Sequence, residues 1–426
     1  MKNKRILLIS HNYYPEPTGI GKYNGEMMEW LARAGYDCTI VTTYPYYPYW
    51  KVQKPYNSNW YKKEIVKYPE SGGQITIYRC PLYVPNNPTG KKRMVQDLSF
   101  WTSKFWIILK LLFSARKFDL IITVAPPFHL AYLGLMYRNR KGGKLLYHIQ
   151  DLQIEAAQDL NMLSSSQLFN RLYKIEKKIL TSADFVSSIS DGMINKIKAK
   201  VDRDVIMFPN WADTSFFSPL LNKQSLKQQW GYKSDDYVFL YSGAIGEKQG
   251  LEGIIQAAEH LKSDNNVKFI ICGSGPYKEK LIQLAEEKQL KNLDFLPVQE
   301  KERFNEFLNM ADFHMILQKA NAGDLVMPSK LTTILAVGGI SVVTCSSGTT
   351  LHSVISKHDL GYIVEPENAQ MLADSILKIK TDTKGIERKR ENARRYALKY
   401  LNIDNVMTEF VNNFLLNEAP AASTFN

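Results

Sequence analysis

Short, nearly unbroken apolar runs recur along the chain, separated by longer stretches of mixed polarity. In the first half Arg5 to Ser10, Cys38 to Thr43, Leu120 to Val124, Lys144 to Tyr147, Phe185 to Ser190 and Val205 to Phe208 read as strands. In the second half Tyr237 to Ser242, Lys268 to Cys272, Leu293 to Leu296, Asp312 to Leu317 and Ile340 to Cys345 do the same. Runs that do not alternate with polar residues predict strands covered on both faces, as in parallel sheets. Helical spacing fills the gaps. One helix is predicted from about Tyr23 to Arg33, and another from Leu331 to Val337, with Leu331, Ile334 and Leu335 on one face and Gly338-Gly339 stopping it. Strand, loop, helix and strand in this order predict doubly wound α/β sheets.

A chain of 426 residues is too long for one core and suits two domains. The reading places a first domain over residues 1–215 and a second over 216–385. C-terminal helices follow over 386–416, able to cross back to the first domain, and then a disordered tail over 417–426. Polar, loosely patterned Ser218 to Ser234 is read as the linker, and the C-terminal helix is expected to break near Asn402 to Asp404.

Composition changes the picture little: 45% hydrophobic and 23% charged residues are ordinary for a globular protein. The four cysteines, Cys38, Cys80, Cys272 and Cys345, lie far apart in apolar runs and read as reduced core residues of a cytosolic protein. The apolar run after the basic N-terminus is too short for a signal peptide, and no run of about 18 apolar residues spans a membrane. The net charge of +12 points to an anionic partner: lipid, nucleic acid or a diphosphate.

Candidate chemistry gathers where strands end. The loop His11 to Lys22 carries Gly19 and Gly21, which let backbone approach a ligand. The loop after Ser242 carries Gly243 and Lys248, that after Cys272 carries Gly273, and Leu296 leads to Val298. Pro328, Ser329 and Lys330 open the helix before Ile340, where a cation beside free helix amides makes an anion site. His148 and Asp151 follow the strand Lys144 to Tyr147, at the carboxyl edge where open α/β sheets bind ligands; a structural histidine is the alternative.

Two segments are unusually aromatic. Tyr44 to Trp50 reads Y-P-Y-Y-P-Y-W, a stiff loop whose Tyr46, Tyr47 and Trp50 can stack on a sugar or lie among lipid headgroups, or fold onto their own domain. Lys91 to Phe118 mixes Phe100, Trp101, Trp106 and Phe113 with Lys104, Lys110 and other basic residues at helical spacing. The reading favours a peripheral membrane contact over a buried helix with snorkelling lysines.

Taken together, S-H-N-Y-Y-P-E-P-T-G-I-G-K-Y, H-I-Q-D, F-P-N-W-A-D-T-S-F-F, Y-S-G-A-I-G-E-K-Q-G-L, C-G-S-G-P and P-S-K-L-T-T-I-L-A-V-G-G resemble the retaining glycosyltransferases of family four over almost the whole chain. Within that family T-Y-P-Y-Y-P-Y-W and R-C-P-L-Y-V-P are most similar to the colanic-acid-type fucosyltransferases. The resemblance implies the GT-B fold: α/β, two Rossmann-like doubly wound domains facing an interdomain cleft. It further implies a nucleotide diphosphate sugar donor held mainly by the second domain and an acceptor on the first; a lipid-linked (polyprenyl-diphosphate) oligosaccharide acceptor would make sense of a membrane contact through Lys91 to Phe118. The reduced cysteines and the membrane contact together place the enzyme in the cytoplasm, at the inner face of the cell membrane.

By position, the resemblance brings Gly19 and Gly21 to the diphosphate or sugar and His148 to the donor sugar, puts Val298 at the base, and sets Lys248, Ser329 and Lys330 around the phosphates. Asp324, Pro328, Leu331 and Thr333 complete the donor loop. Two glutamates common in the family are replaced here by Leu325, beside Asp324, and by Thr333; the usual arginine and lysine after the glycine are Ala244 and Gln249. No cofactor and no metal are expected, and no D-x-D motif is picked out in any loop. A nucleotide-sugar 2-epimerase and a non-catalytic basic protein on membrane or nucleic acid are the alternatives; no zinc-finger or RNP-like pattern supports nucleic acid.

Overall fold

The computed structural model describes residues 4–16, 19–47, 49–57, 60–86, 90–159, 166–319 and 328–416. Asp324, the tail over 417–426 and the Lys248 side chain lie outside what is described. The chain forms two compact units: the first runs through Pro209 and resumes at Met407, and the second runs from Asn210 to Val406.

The first unit is built on an eight-stranded sheet. Its strands are β1 (Arg5–Ile9), β2 (Asp37–Thr43), β3 (Lys62–Tyr68), β4 (Gly73–Cys80), β5 (Leu120–Ala125), β6 (Lys144–Ile149), β7 (Phe185–Ser188) and β8 (Ile206–Met207). Their order is β3-β4-β2-β1-β5-β6-β7-β8. Ile6 pairs with Cys38 on one side and Leu120 on the other, both parallel. Only β3 runs antiparallel, against β4, and the apolar pattern does not announce this hairpin. Its sequence, K-K-E-I-V-K-Y, is largely exposed, and lysines on an edge strand discourage pairing with other chains.

The second unit holds a six-stranded parallel sheet. Strands β9 (Tyr237–Ser242), β10 (Val267–Cys272), β11 (Leu293–Leu296), β12 (Phe313–Leu317), β13 (Ile340–Thr344) and β14 (Gly361–Val364) lie in the order β11-β10-β9-β12-β13-β14. Both faces are covered, as the unbroken runs predict. Val238, Leu240 and Ile270 pack with Leu331, Ile334 and Leu335 of the helix Lys330–Ala336. Phe239 and Phe269 face the other way onto Ile254, Ile255 and Leu281, with Phe239 stacked on Phe313 at 4.7 Å. Each such buried side chain contributes about 1.5–3 kcal/mol relative to exposure.

Two boundaries differ from the sequence reading, and a third agrees with it. The first long helix, α1 (Gly19–Arg33), starts a turn earlier than Tyr23, so Gly19 and Gly21 belong to a helix and not to a loop. The stretch read as a linker contains the helix Lys223–Gln229, with Leu226 buried in the core and Lys227 Nζ 2.7 Å from Asp312. The C-terminal helices do break at Asn402, which is extended and pairs with Ala212. Beyond the break, Phe410 and Phe414 pack against Phe208, and Phe414 against Phe185, closing the core of the first unit.

Candidate active site

In the second unit the loops leaving β9, β10 and β11 are knitted together at the carboxyl edge. Gly243 donates its amide to the Cys272 carbonyl at 3.0 Å, Ile245 to Ser274 at 2.9 Å, and Gly273 to Leu296 at 3.1 Å. A side chain on Gly273 would strike the Gly243 carbonyl at 1.9 Å, so these loops can approach one another only as glycines. Val298, just beyond, is 61% exposed.

Lys330 reaches this edge from the start of its helix. Its Nζ lies 3.5 Å from the centre of the Tyr241 ring, and a Cβ on Gly243 would come within 2.9 Å of it. Desolvation lowers its pKa to about 7. Among the described residues no carboxylate forms an ion pair with it. A second cation escapes the sequence reading: Lys278 Nζ stands 3.4 Å from the Gly273 and Leu296 carbonyls.

The helix behind Lys330 offers fewer open amides than expected. Leu331 N–H already donates to Pro328 O at 3.0 Å and Thr332 N–H to Ser329 O at 3.4 Å. Ser329 is exposed with no capping bond, and the Thr333 hydroxyl is turned back onto the Lys330 carbonyl at 3.1 Å. The side chains therefore supply the positive charge here.

In the first unit His148 is 2% exposed, its Nδ1 lies 2.9 Å from Ser187 Oγ, and its ring packs on Phe208 at 4.9 Å. Burial pushes its pKa down to about 3. These are the surroundings of a core histidine, so the reading of it as a ligand for sugar finds no open face here. Asp151 lies just past the end of β6 and is partly buried. Gly21 serves the packing of the helix start, since a Cβ there would meet Glu16 at 2.7 Å. Glu16 in turn accepts from the Tyr46 and Tyr47 amides at 3.0 Å each and from Asn12 at 2.7 Å. Gly19, at a φ of 61°, has open space around it.

The aromatic segments divide. Tyr46 is 4% exposed and its hydroxyl sits 2.5 Å from His11 Nε2, so it turns inward, contrary to the reading of it as a surface contact. Tyr47 stays exposed, and half-buried Trp50 lies under Arg93. On the long helix α2 (Gly90–Phe113), Lys104 is fully buried and cannot belong to a membrane-facing surface. Met94, Leu98, Trp106 and Phe113 do face outward, with Lys110 among them. No helix among the described residues is long and apolar enough to cross a membrane.

A D-x-D triplet is in fact present, Asp202-Arg203-Asp204. It precedes β8 and so lies at the amino end of that strand, away from the carboxyl edge. Arg203 there donates to the carbonyls of Ala183 at 2.9 Å and Asp184 at 3.0 Å, tying down a turn.

Two wound sheets in one chain, the second with cations gathered over its glycine-lined carboxyl edge, are the GT-B architecture. Sucrose-phosphate synthase from Thermosynechococcus elongatus superposes with a TM-score of 0.74 over 96% of this chain and 98% of its own, at 16% identity. HepE of Anabaena, solved with UDP and glucose, gives 0.65 over 96% and 98% at 14% identity.

The chain belongs to the glycosyltransferases: residues 18–211 match the glycosyl transferase 4-like domain and residues 222–399 the family of glycosyl transferases group 1. The putative colanic acid biosynthesis glycosyl transferase WcaI of Escherichia coli K12 is 36% identical over 96% of this chain and 99% of its own.

Proposed function

We propose that the protein is a retaining, metal-independent glycosyltransferase that moves a sugar, fucose in the first instance, from a nucleotide diphosphate sugar to a lipid-linked oligosaccharide during surface-polysaccharide synthesis. The observation that carries this reading is Lys330, a lysine with no carboxylate partner among the described residues, held over Tyr241 beside the open backbone of Gly243. Departure of a nucleoside diphosphate builds negative charge on its outer phosphate, and a fixed cation at that place lowers the barrier. The relative WcaI, by its description, supports the polysaccharide, and the HepE complex supports a nucleotide on this fold.

The acceptor belongs, on this reading, to the first unit, whose α2 turns Leu98, Trp106 and Phe113 outward beside Lys110. An apolar stripe with flanking bases suits a shallow seat in an anionic membrane surface, where a lipid-linked acceptor would be presented. Incubating the purified chain with GDP- and UDP-sugars, with and without a membrane-lipid acceptor fraction, tests the proposal. Acceptor-dependent release of nucleoside diphosphate from one donor, with the anomeric configuration kept in the product, is expected. Release of an epimer without any acceptor, or an inverted linkage, overturns it.

A further inference from the structure

At the carboxyl edge of the first sheet a group of polar side chains is buried without partners. Lys104 is fully buried on the inner face of α2, and its Nζ lies 4.1 Å from the centre of the Phe100 ring. His11, which follows β1, packs on the same ring at 4.0 Å, and His129, which follows β5, stacks beside it at 6.2 Å. Lys104 Nζ and His11 Nδ1 are buried, and neither has a hydrogen-bond partner. Lys104 Nζ is a donor, and His11 Nδ1 is one in the tautomer whose Nε2 accepts from the Tyr46 hydroxyl 2.5 Å away.

Leaving such buried groups unmatched is costly, and a neighbouring acid would ordinarily meet them. Glu16 cannot, because its oxygens are taken by Asn12 and the Tyr46 and Tyr47 amides. Asp97 on α2 is within electrostatic reach of Lys104 but makes no ion pair with it. Cys80, at the end of β4, is also near and stays a thiol. The donors lie where three strands of an open sheet end, the place where such sheets take ligands. Half-buried His129 and Asp97 form its rim.

We propose that Lys104 and His11 form a subsite for a small oxyanion, a carboxylate or phosphate carried on the acceptor sugar. The inference rests on the reading of the first unit as the acceptor side. It supplies what that reading lacks, a chemical class for the acceptor. Lys104 has its pKa lowered to about 7 by desolvation, with Asp97 and Glu16 opposing and the two histidines kept neutral. An oxyanion seated beside it restores the charge, so binding above neutral pH takes up a proton.

The test titrates the full chain with D-glucuronate, glucose 6-phosphate and glucose by calorimetry at pH 8 in two buffers of different ionisation enthalpy. At least one anionic sugar is expected to bind ten-fold or more tighter than glucose, with proton uptake, and which one binds separates carboxylate from phosphate. Lys104→Met should lose that preference and keep the nucleoside diphosphate affinity. Binding of neither anion, equal binding of glucose, binding without proton uptake, or full retention in Lys104→Met overturns the subsite and makes Lys104 a core lysine. Proton uptake is read on the unmodified chain, so the test stands even where the variant does not fold. Loss of the subsite with nucleotide-sugar turnover intact leaves the proposed function standing; absence of turnover with every donor sinks that function instead.

Discussion

Lys330 Nζ sits over the ring of Tyr241 at 3.5 Å, at the point where the Gly243 backbone leaves room for nothing larger than hydrogen. A cation on an aromatic face is held in place but only partly compensated, which leaves it charge to offer an incoming anion. Lys330→Ala should therefore lower transfer ten-fold or more, since a charge-assisted contact of this kind contributes about 1.5–3 kcal/mol. Steady-state kinetics with the fold checked by circular dichroism reads the effect.

The same lysine makes nucleotide affinity depend on pH. With its pKa lowered to about 7, Lys330 must be reprotonated to meet a diphosphate in more alkaline solution. Affinity for a nucleoside diphosphate should fall above pH 7, by up to about ten-fold per unit. Lys330→Met should flatten that dependence in a titration from about pH 6.5 to 8.5, a window that brackets the lowered value.

Acid should destabilise the protein through its buried histidines. Burial lowers His148 and His314 to about 3 and His129 to about 4, all below the unfolded value of 6.5. The unfolded chain then binds more protons as pH falls below about 6.5, so their stabilising contribution is complete above that value and is lost progressively toward about pH 3. Thermal unfolding should show a midpoint that drops steadily across this window. His148→Asn, made at the histidine that faces Ser187, should reduce the slope.

Gly21→Ala should damage the first unit. The added methyl would press on Glu16 at 2.7 Å and disturb the carboxylate that gathers the Tyr46 and Tyr47 amides. A destabilisation of roughly 1–3 kcal/mol is expected from overpacking of this kind. Chemical denaturation measures it, and an unchanged midpoint would show that Glu16 can move aside without cost.

Trp106→Ser with Phe113→Ser should leave stability within about 0.5 kcal/mol, since both side chains are largely exposed. Flotation with vesicles of anionic lipid should nevertheless fall well below that of the parent chain. Equal flotation would remove α2 from membrane contact.

The two wound sheets are legible because strands buried on both faces must be apolar throughout, and this chain obeys that rule at Ile6 to Ile9 as at Phe239 to Tyr241. The hairpin β3–β4 escapes because an edge strand such as K-K-E-I-V-K-Y is written to repel neighbours, and so it looks like a loop. Lys330 and Gly243 can be picked out from loops at strand ends, whereas Lys278 cannot, since what marks it is the convergence of two carbonyls from different loops. Lys104 does carry a signal in the sequence. It falls on the same helical stripe as Phe100 and Ile108, where a lysine points into the domain and not toward solvent.

The packing of Phe410 and Phe414 against Phe208 has a consequence for how the chain is made. In order of synthesis the second unit is an insertion within the first, whose closing residues emerge only after the whole insert has been translated. The ribosome thus releases a first sheet with an apolar flank still bare, and its final consolidation waits until the insert has been translated.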